Sequence, residues 1–226
     1  MTAHTVTLSD DRRHILQQRI RWIVTATIGY NIIEAIVAIT AGTIASSGAL
    51  IAFGLDSTIE VLSAAAVAWQ FTRRDPERWE KPTLRAIAVA FFALAAYVTA
   101  TSLITLIGRV EAAHSQLGIL ITALSVIIMP FLSLAERRAG RELGSATAVA
   151  DSKQTLICTY LSAAVLIGLV LNSLIGWWWA DAVAGLVIAG FAIREGIEAW
   201  RGDACATSVG MLLEEDVDDD HDHDHD

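Results

Sequence analysis

Cysteine is scarce in this chain: Cys158 and Cys205 are the two among 226 residues. That excludes a disulfide framework. Cys158 alone falls in an apolar run, so dithiol redox chemistry within a membrane lacks its second sulfur. All six histidines lie outside the apolar runs. No Ser/His or Cys/His pair is left there for nucleophilic catalysis, so neither an enzyme activity nor a resident cofactor is expected. An excess of basic charge is also missing. The net charge is −9, but Glu214, Glu215, Asp216, Asp218, Asp219, Asp220, Asp222, Asp224 and Asp226 supply nine negatives. The other sixteen acids balance sixteen Lys and Arg. The acidity belongs to the tail, and nothing points to a nucleic-acid partner. The first twenty residues are polar, and no cleavable signal peptide is expected.

Apolar residues are plentiful. They form 54% of the chain, and the mean hydropathy is +0.50. Both values point to membrane spans. Six apolar runs stand out: Trp22 to Ala41, Ser47 to Phe71, Leu84 to Ile107, Leu117 to Leu134, Ala146 to Leu171 and Leu174 to Ile193. Each has about 18 residues or more, enough for ~30 Å of hydrocarbon. Helices are expected, because backbone groups in lipid must be paired internally. Fourteen Lys and Arg fall around one set of connections and only Arg109 on the other side, with Lys153 inside run five. By the positive-inside rule both termini are cytoplasmic. Trp177, Trp178 and Trp179 mark the outer interface, with Asp181 expected beside them. Pro130 is expected to kink the fourth helix. The fold predicted is an all-α integral membrane bundle of six transmembrane helices. A cytoplasmic segment 1–21 precedes the membrane domain 22–197, and a tail 198–226 too poor in apolar residues to fold follows it. The expected location is the plasma membrane, as a multi-pass protein.

Ionisable residues inside spans are costly and are functional candidates by default. Three lie deep: Glu34, Asp56 and Glu60. Asp56 and Glu60 are four apart and share a helix face, as do Gln154 and Cys158 in run five. The rise per residue puts Asp56 ~14 Å and Glu60 ~20 Å below the outer edge. It puts Gln154 ~12 Å and Cys158 ~18 Å above the inner edge, and Glu34 near ~18 Å. On this reckoning Asp56 is level with Cys158 and Glu34, and Glu60 with Gln154. Two carboxylates facing a thiol and an amide make a four-donor pocket for a divalent cation such as Zn²⁺. Structural alternatives exist for each residue. The two acids can form an interhelical hydrogen bond, Gln154 can do the same, and Cys158 can pack as a small apolar group. Asn31 and Glu34 suit a packing or ligand-supporting role. Lys153 can snorkel to the surface. Asp151 suits an entry funnel or a helix cap. In the tail, His221, His223 and His225 alternate with acids, a pattern that can hold metal weakly or simply be solvated.

The stretches "YNIIEAIVAITAG", "SSGALIAFGLDSTIEVLSA", "VADSKQTLICTYLSA" and "WWWADAVAGLVIAGFAIREGIEAW" resemble the cation diffusion facilitator, or cation efflux, family over about Asn31 to Trp200. The resemblance implies six transmembrane helices, a homodimer, and a divalent metal exchanged for protons. It also implies a transport site of two acids four apart on the second helix and a second pair, commonly His and Asp, on the fifth. Asp56 and Glu60 match the first pair. Gln154 and Cys158 stand where the second belongs and depart from it in both residues. Thiolate shifts the expected preference toward softer ions. About 33 residues follow the last run, so the family's folded cytoplasmic domain is expected to be absent, as in its short branch. The function expected is export of a divalent transition metal from the cytoplasm by metal/proton antiport. The alternative is a non-transporting membrane protein that binds metal for regulation.

Overall fold

In a computed structural model the described residues are 10–71, 76–109, 111–143 and 146–201. The side chains of a few residues within these ranges, Asp151 and Gln154 among them, fall outside the description. Six helices account for nearly all of it: α1 (Asp10–Ala45), α2 (Gly48–Phe71), α3 (Pro76–Gly108), α4 (Gln116–Leu143), α5 (Ala146–Ile175) and α6 (Trp179–Arg201). There is no strand among the described residues. The protein is a multi-pass, all-α membrane bundle.

Five helices are both long and apolar enough to cross a bilayer; α6 is the exception. Its 23 residues would span ~34 Å. What sets α6 apart is charge. Asp181, Arg194, Glu195, Glu198 and Arg201 are spaced so that every 18-residue window contains at least three of them. Other helices overshoot the membrane. The 36 residues of α1 run ~54 Å and the 30 of α5 ~45 Å, against ~30 Å of hydrocarbon. The surplus of α1 carries the basic residues ahead of the first apolar run. It packs Leu16, Ile20 and Val24 on Ala139 of α4, and Arg12 pairs with Glu142 beside them. α4 runs unbroken through Pro130.

The packing is inside out relative to a soluble bundle. Small residues fill much of the interior, among them Ala38, Ala49, Ala52, Ala88, Ala184 and Ala192, around Leu50, Phe53 and Ile188. Large apolar side chains such as Ile33, Ile36, Ile104, Ile127, Phe131 and Ile167 point outward. Lipid tails are as apolar as these side chains, so helices gain by close backbone contact rather than by hiding them.

α1 and α2 meet most tightly at glycine. A Cβ on Gly54 would lie 2.9 Å from Ile39 N and 3.0 Å from Ala35 O, and one on Gly42 2.8 Å from Ile51 N. Only hydrogen fits there. α4 packs chiefly on α5 and α3 on α6, while α2 touches α1, α3, α5 and α6. The helix with the paired acids is therefore the hub of the bundle.

Ser47 caps α2 by accepting from Leu50 N at 3.1 Å. Asp181, expected at the outer interface, is enclosed instead, at 2% exposure. It accepts from the Ser47 hydroxyl and from Ala49 N at 3.3 Å, fastening α6 to the start of α2. The α3–α4 connection is tied down at the same end. Ala113 N donates to Ala45 O and Asn172 Nδ2 donates to Ala112 O, both at 2.8 Å.

Candidate metal centre

Glu60 is the meeting point of three helices. Asn31 Nδ2 on α1 donates to Glu60 Oε2 at 2.9 Å, and Cys158 Sγ on α5 donates to Glu60 Oε1 at 2.8 Å. Asn31 and Cys158 are each 6% exposed, and Glu60 is half-buried. A contact this short between a thiol and a carboxyl group needs one proton between them.

One turn away, Asp56 is 7% exposed. It lies within electrostatic reach of Glu34 on α1, Glu195 on α6 and Cys158 on α5. The charged groups that bear on it are thus carboxylates. Glu34 is 1% exposed and linked to hydroxyls. Ser57 Oγ donates to its Oε2 at 2.8 Å, Ser125 Oγ donates to its Oε1, and Tyr30 shares a 2.7 Å hydrogen bond with Ser125. Glu34 thereby joins α1, α2 and α4. Buried carboxylates supported by neutral donors need protons or a cation to offset the loss of water.

The structure shifts the predicted levels by one turn. Cys158 pairs with Glu60, whereas the sequence reckoning set it level with Asp56. That reckoning started α5 at the inner membrane edge. The helix is ~15 Å longer than the hydrocarbon, so its first residue need not mark the membrane edge and heights counted from it can be offset. Asp56, Glu60 and Cys158 all belong to the interior, and Asn31 and Glu34 join them from α1. Among the described residues, no group of three or more His, Cys, Asp and Glu side chains is gathered as a metal site would need. The side chains of Gln154 and Asp151 lie outside the described residues, as does the tail with His221, His223 and His225.

Four participants escaped the sequence reading: Tyr30, Ser57, Ser125 and Glu195. Glu195 had a legible signal. It follows Asp181 by 14 residues, close to four helical turns, and so lies near the same face. Ser57 and Ser125 had none, since mid-span serines commonly bond their own helix. Both do so here, to Phe53 O and Ile121 O.

The family model described as the cation efflux transmembrane domain matches residues 24–201. The cation-efflux pump FieF of Shewanella oneidensis is 29% identical over 106 residues, which is 47% of this chain and 34% of the relative. The matched segment thus spans about a third of that protein's length. The family match runs from within α1 to the end of α6 and covers well over half of the sequence, so the chain belongs to the cation efflux family.

Proposed function

We propose that this protein exports divalent transition-metal cations from the cytoplasm in exchange for protons, with Asp56, Glu60 and Cys158 as donors and Gln154 as the fourth. One observation carries the proposal. A thiol of α5 and a carboxylate of α2 touch inside the bundle, beside a second carboxylate one turn away. The family membership and the printed name of the FieF relative support efflux of a cation.

The exchange follows from the protonation of the donors. The thiol–carboxyl contact holds a proton, and metal ligands must be deprotonated. An arriving cation therefore displaces protons as it takes the sulfur and the carboxylates. Proteins of this kind must open the pocket to each side in turn. The contacts of Asp181 with α2, and of the α3–α4 connection with α1 and α5, tie the helices together at one end. Protons that return from the outer side release the cation and neutralise the carboxylates for the return step. A homodimer in the plasma membrane, as the family resemblance implies, is part of the proposal. Asp151 on the entry path and weak capture by His221, His223 and His225 complete it.

Metal uptake into inside-out vesicles tests this reading. Acidifying the lumen should accelerate uptake, and Asp56→Ala should abolish it. Full-rate transport by Asp56→Ala would discard the site. The absence of a gathered three-donor group keeps a second reading in play, that of a regulatory protein that binds metal without moving it. Counterflow of radioactive metal in proteoliposomes separates the two, because a mere binder saturates and exchanges nothing across the bilayer.

A further inference from the structure

Asn31 has a polar atom with no role in the contacts described so far. Its nitrogen serves Glu60, but its carbonyl oxygen, Oδ1, is buried without a hydrogen-bond partner among the described residues. The residue is 6% exposed. A buried acceptor left unpaired is disfavoured, and native structures contain few. A helix interface in lipid also offers cheaper choices: leucine would fill the same volume with no polar atom to satisfy.

The position of this oxygen suggests what it is for. Oδ1 and Nδ2 are branches of one planar amide. The free oxygen therefore lies no farther than roughly 5 Å from the Glu60 oxygen that the nitrogen binds. It is an acceptor only, so its partner must be a donor or a cation. The group its own nitrogen binds, Glu60, is a carboxylate that also takes the Cys158 contact. A cation held by Glu60 would supply what the oxygen lacks.

We propose that Asn31 Oδ1 is a further ligand to the transported cation, which brings α1 into the coordination shell alongside α2 and α5. This inference rests on the metal-site reading above and extends it. The ligand set then comprises two carboxylates, an amide oxygen and a thiolate, with Gln154 beside them. Amide and carboxylate oxygens suit harder ions and the thiolate softer ones. Asn31 is thus placed to broaden the range of ions accepted. The Nδ2 bond to Glu60 can persist as the cation enters, so the same amide both holds the carboxylate and turns its oxygen to the ion.

Two substitutions separate ligation from simple support of Glu60. Asn31→Leu removes both oxygen and nitrogen. Asn31→Asp removes the nitrogen and keeps an oxygen donor. Uptake of Zn²⁺, Cd²⁺ and Mn²⁺ is measured in proteoliposomes of the full chain, with monodispersity checked for each variant. If Asn31 ligates, Asn31→Leu raises the KM tenfold or more, most for Mn²⁺ and least for Cd²⁺. Asn31→Asp stays within about threefold of the parent protein, because the oxygen remains. A Leu variant with unchanged KM overturns the inference. So does an Asp variant as impaired as the Leu variant, since the lost nitrogen would then be what matters. If Asn31→Leu does not fold, the Asp variant alone decides. Failure of the parent protein to take up any metal would sink the transport reading itself, whereas a Leu variant that transports normally removes only this ligand.

Discussion

The Cys158 thiol donates to Glu60 Oε1 at 2.8 Å while Asn31 holds the other oxygen of the same carboxylate. Two helices are therefore cross-linked to α2 through one side chain. The link to α5 needs a proton between the sulfur and the carboxyl group. On the proposed metal reading, a cation taken up by the sulfur as thiolate displaces the shared proton and exchanges this hydrogen bond for metal bonds.

The sulfur should accordingly set ion preference. Cys158→Ser keeps a small hydroxyl donor for Glu60 but loses the soft ligand. Uptake competition in proteoliposomes should show weaker apparent affinity for Cd²⁺ and Zn²⁺ by at least about tenfold, or ~1.4 kcal/mol. Mn²⁺ should change much less. An equal loss for all three ions would assign the thiol to positioning rather than ligation.

Glu34 presents a different balance. Its two oxygens receive Ser57 and Ser125, which also bond their own backbones. Glu34→Ala would strand both hydroxyls and open a cavity where α1, α2 and α4 meet. A loss of about 1–3 kcal/mol is expected, read as a lower unfolding temperature in detergent. Glu34→Gln keeps one acceptor and turns the other atom into a donor that a hydroxyl oxygen can accept. It should recover most of the stability. If Glu34→Gln is as stable as the parent yet transports poorly, the ionisable carboxyl matters beyond its hydrogen bonds.

Asp181 is a fastening rather than a ligand. Its carboxylate receives Ser47 Oγ and Ala49 N at the start of α2. Asp56 lies ~12 Å farther along that helix. Asp181→Ala should cost about 0.5–2 kcal/mol, the range for loss of a helix cap. Asp181→Asn, which retains an acceptor, should cost less. Metal affinity of the folded protein, measured by equilibrium binding, should be unchanged in both. A large affinity loss would place Asp181 in the pocket's energetics.

Much of this was legible in the sequence, for identifiable reasons. Long apolar runs bounded by arginines defined the helices, because a bilayer fixes span length. The i, i+4 spacing of Asp56 and Glu60 fixed their shared face. The vertical match failed by a turn, because apolar composition marks where a helix can enter lipid and not where it crosses the surface. α5 is longer than the hydrocarbon is thick, so counting heights from Ala146 left Cys158 a turn away from its actual partner, Glu60. The serine partners of Glu34 were invisible, since a mid-span serine usually serves its own backbone. The enclosure of Asp181 was hidden by its neighbours: a carboxylate beside three tryptophans looks interfacial until the start of α2 is known to pack against it.

The close contact of α1 and α2 underlies both carboxylate networks, and Gly54 tests it. A Cβ there would meet Ile39 Cγ1 at 2.7 Å, Ile39 N at 2.9 Å and Ala35 O at 3.0 Å. A side-chain tip can rotate aside, but the two backbone atoms can move only with α1. Gly54→Ala should therefore push α1 off α2 and lengthen the Asn31–Glu60 and Glu34–Ser57 contacts together. Overpacking of this kind costs about 1–3 kcal/mol. The matched control is Gly29→Ala on α1, where an added Cβ meets nothing within 4 Å. Alanine also favours helix over glycine by up to ~1 kcal/mol. Thermal unfolding in detergent should thus fall for Gly54→Ala and hold or rise for Gly29→Ala. Metal uptake should fall with the first alone, since its damage reaches Glu60 through Asn31. If both variants melt and transport alike, the spacing of α1 and α2 does not govern the geometry of the acids.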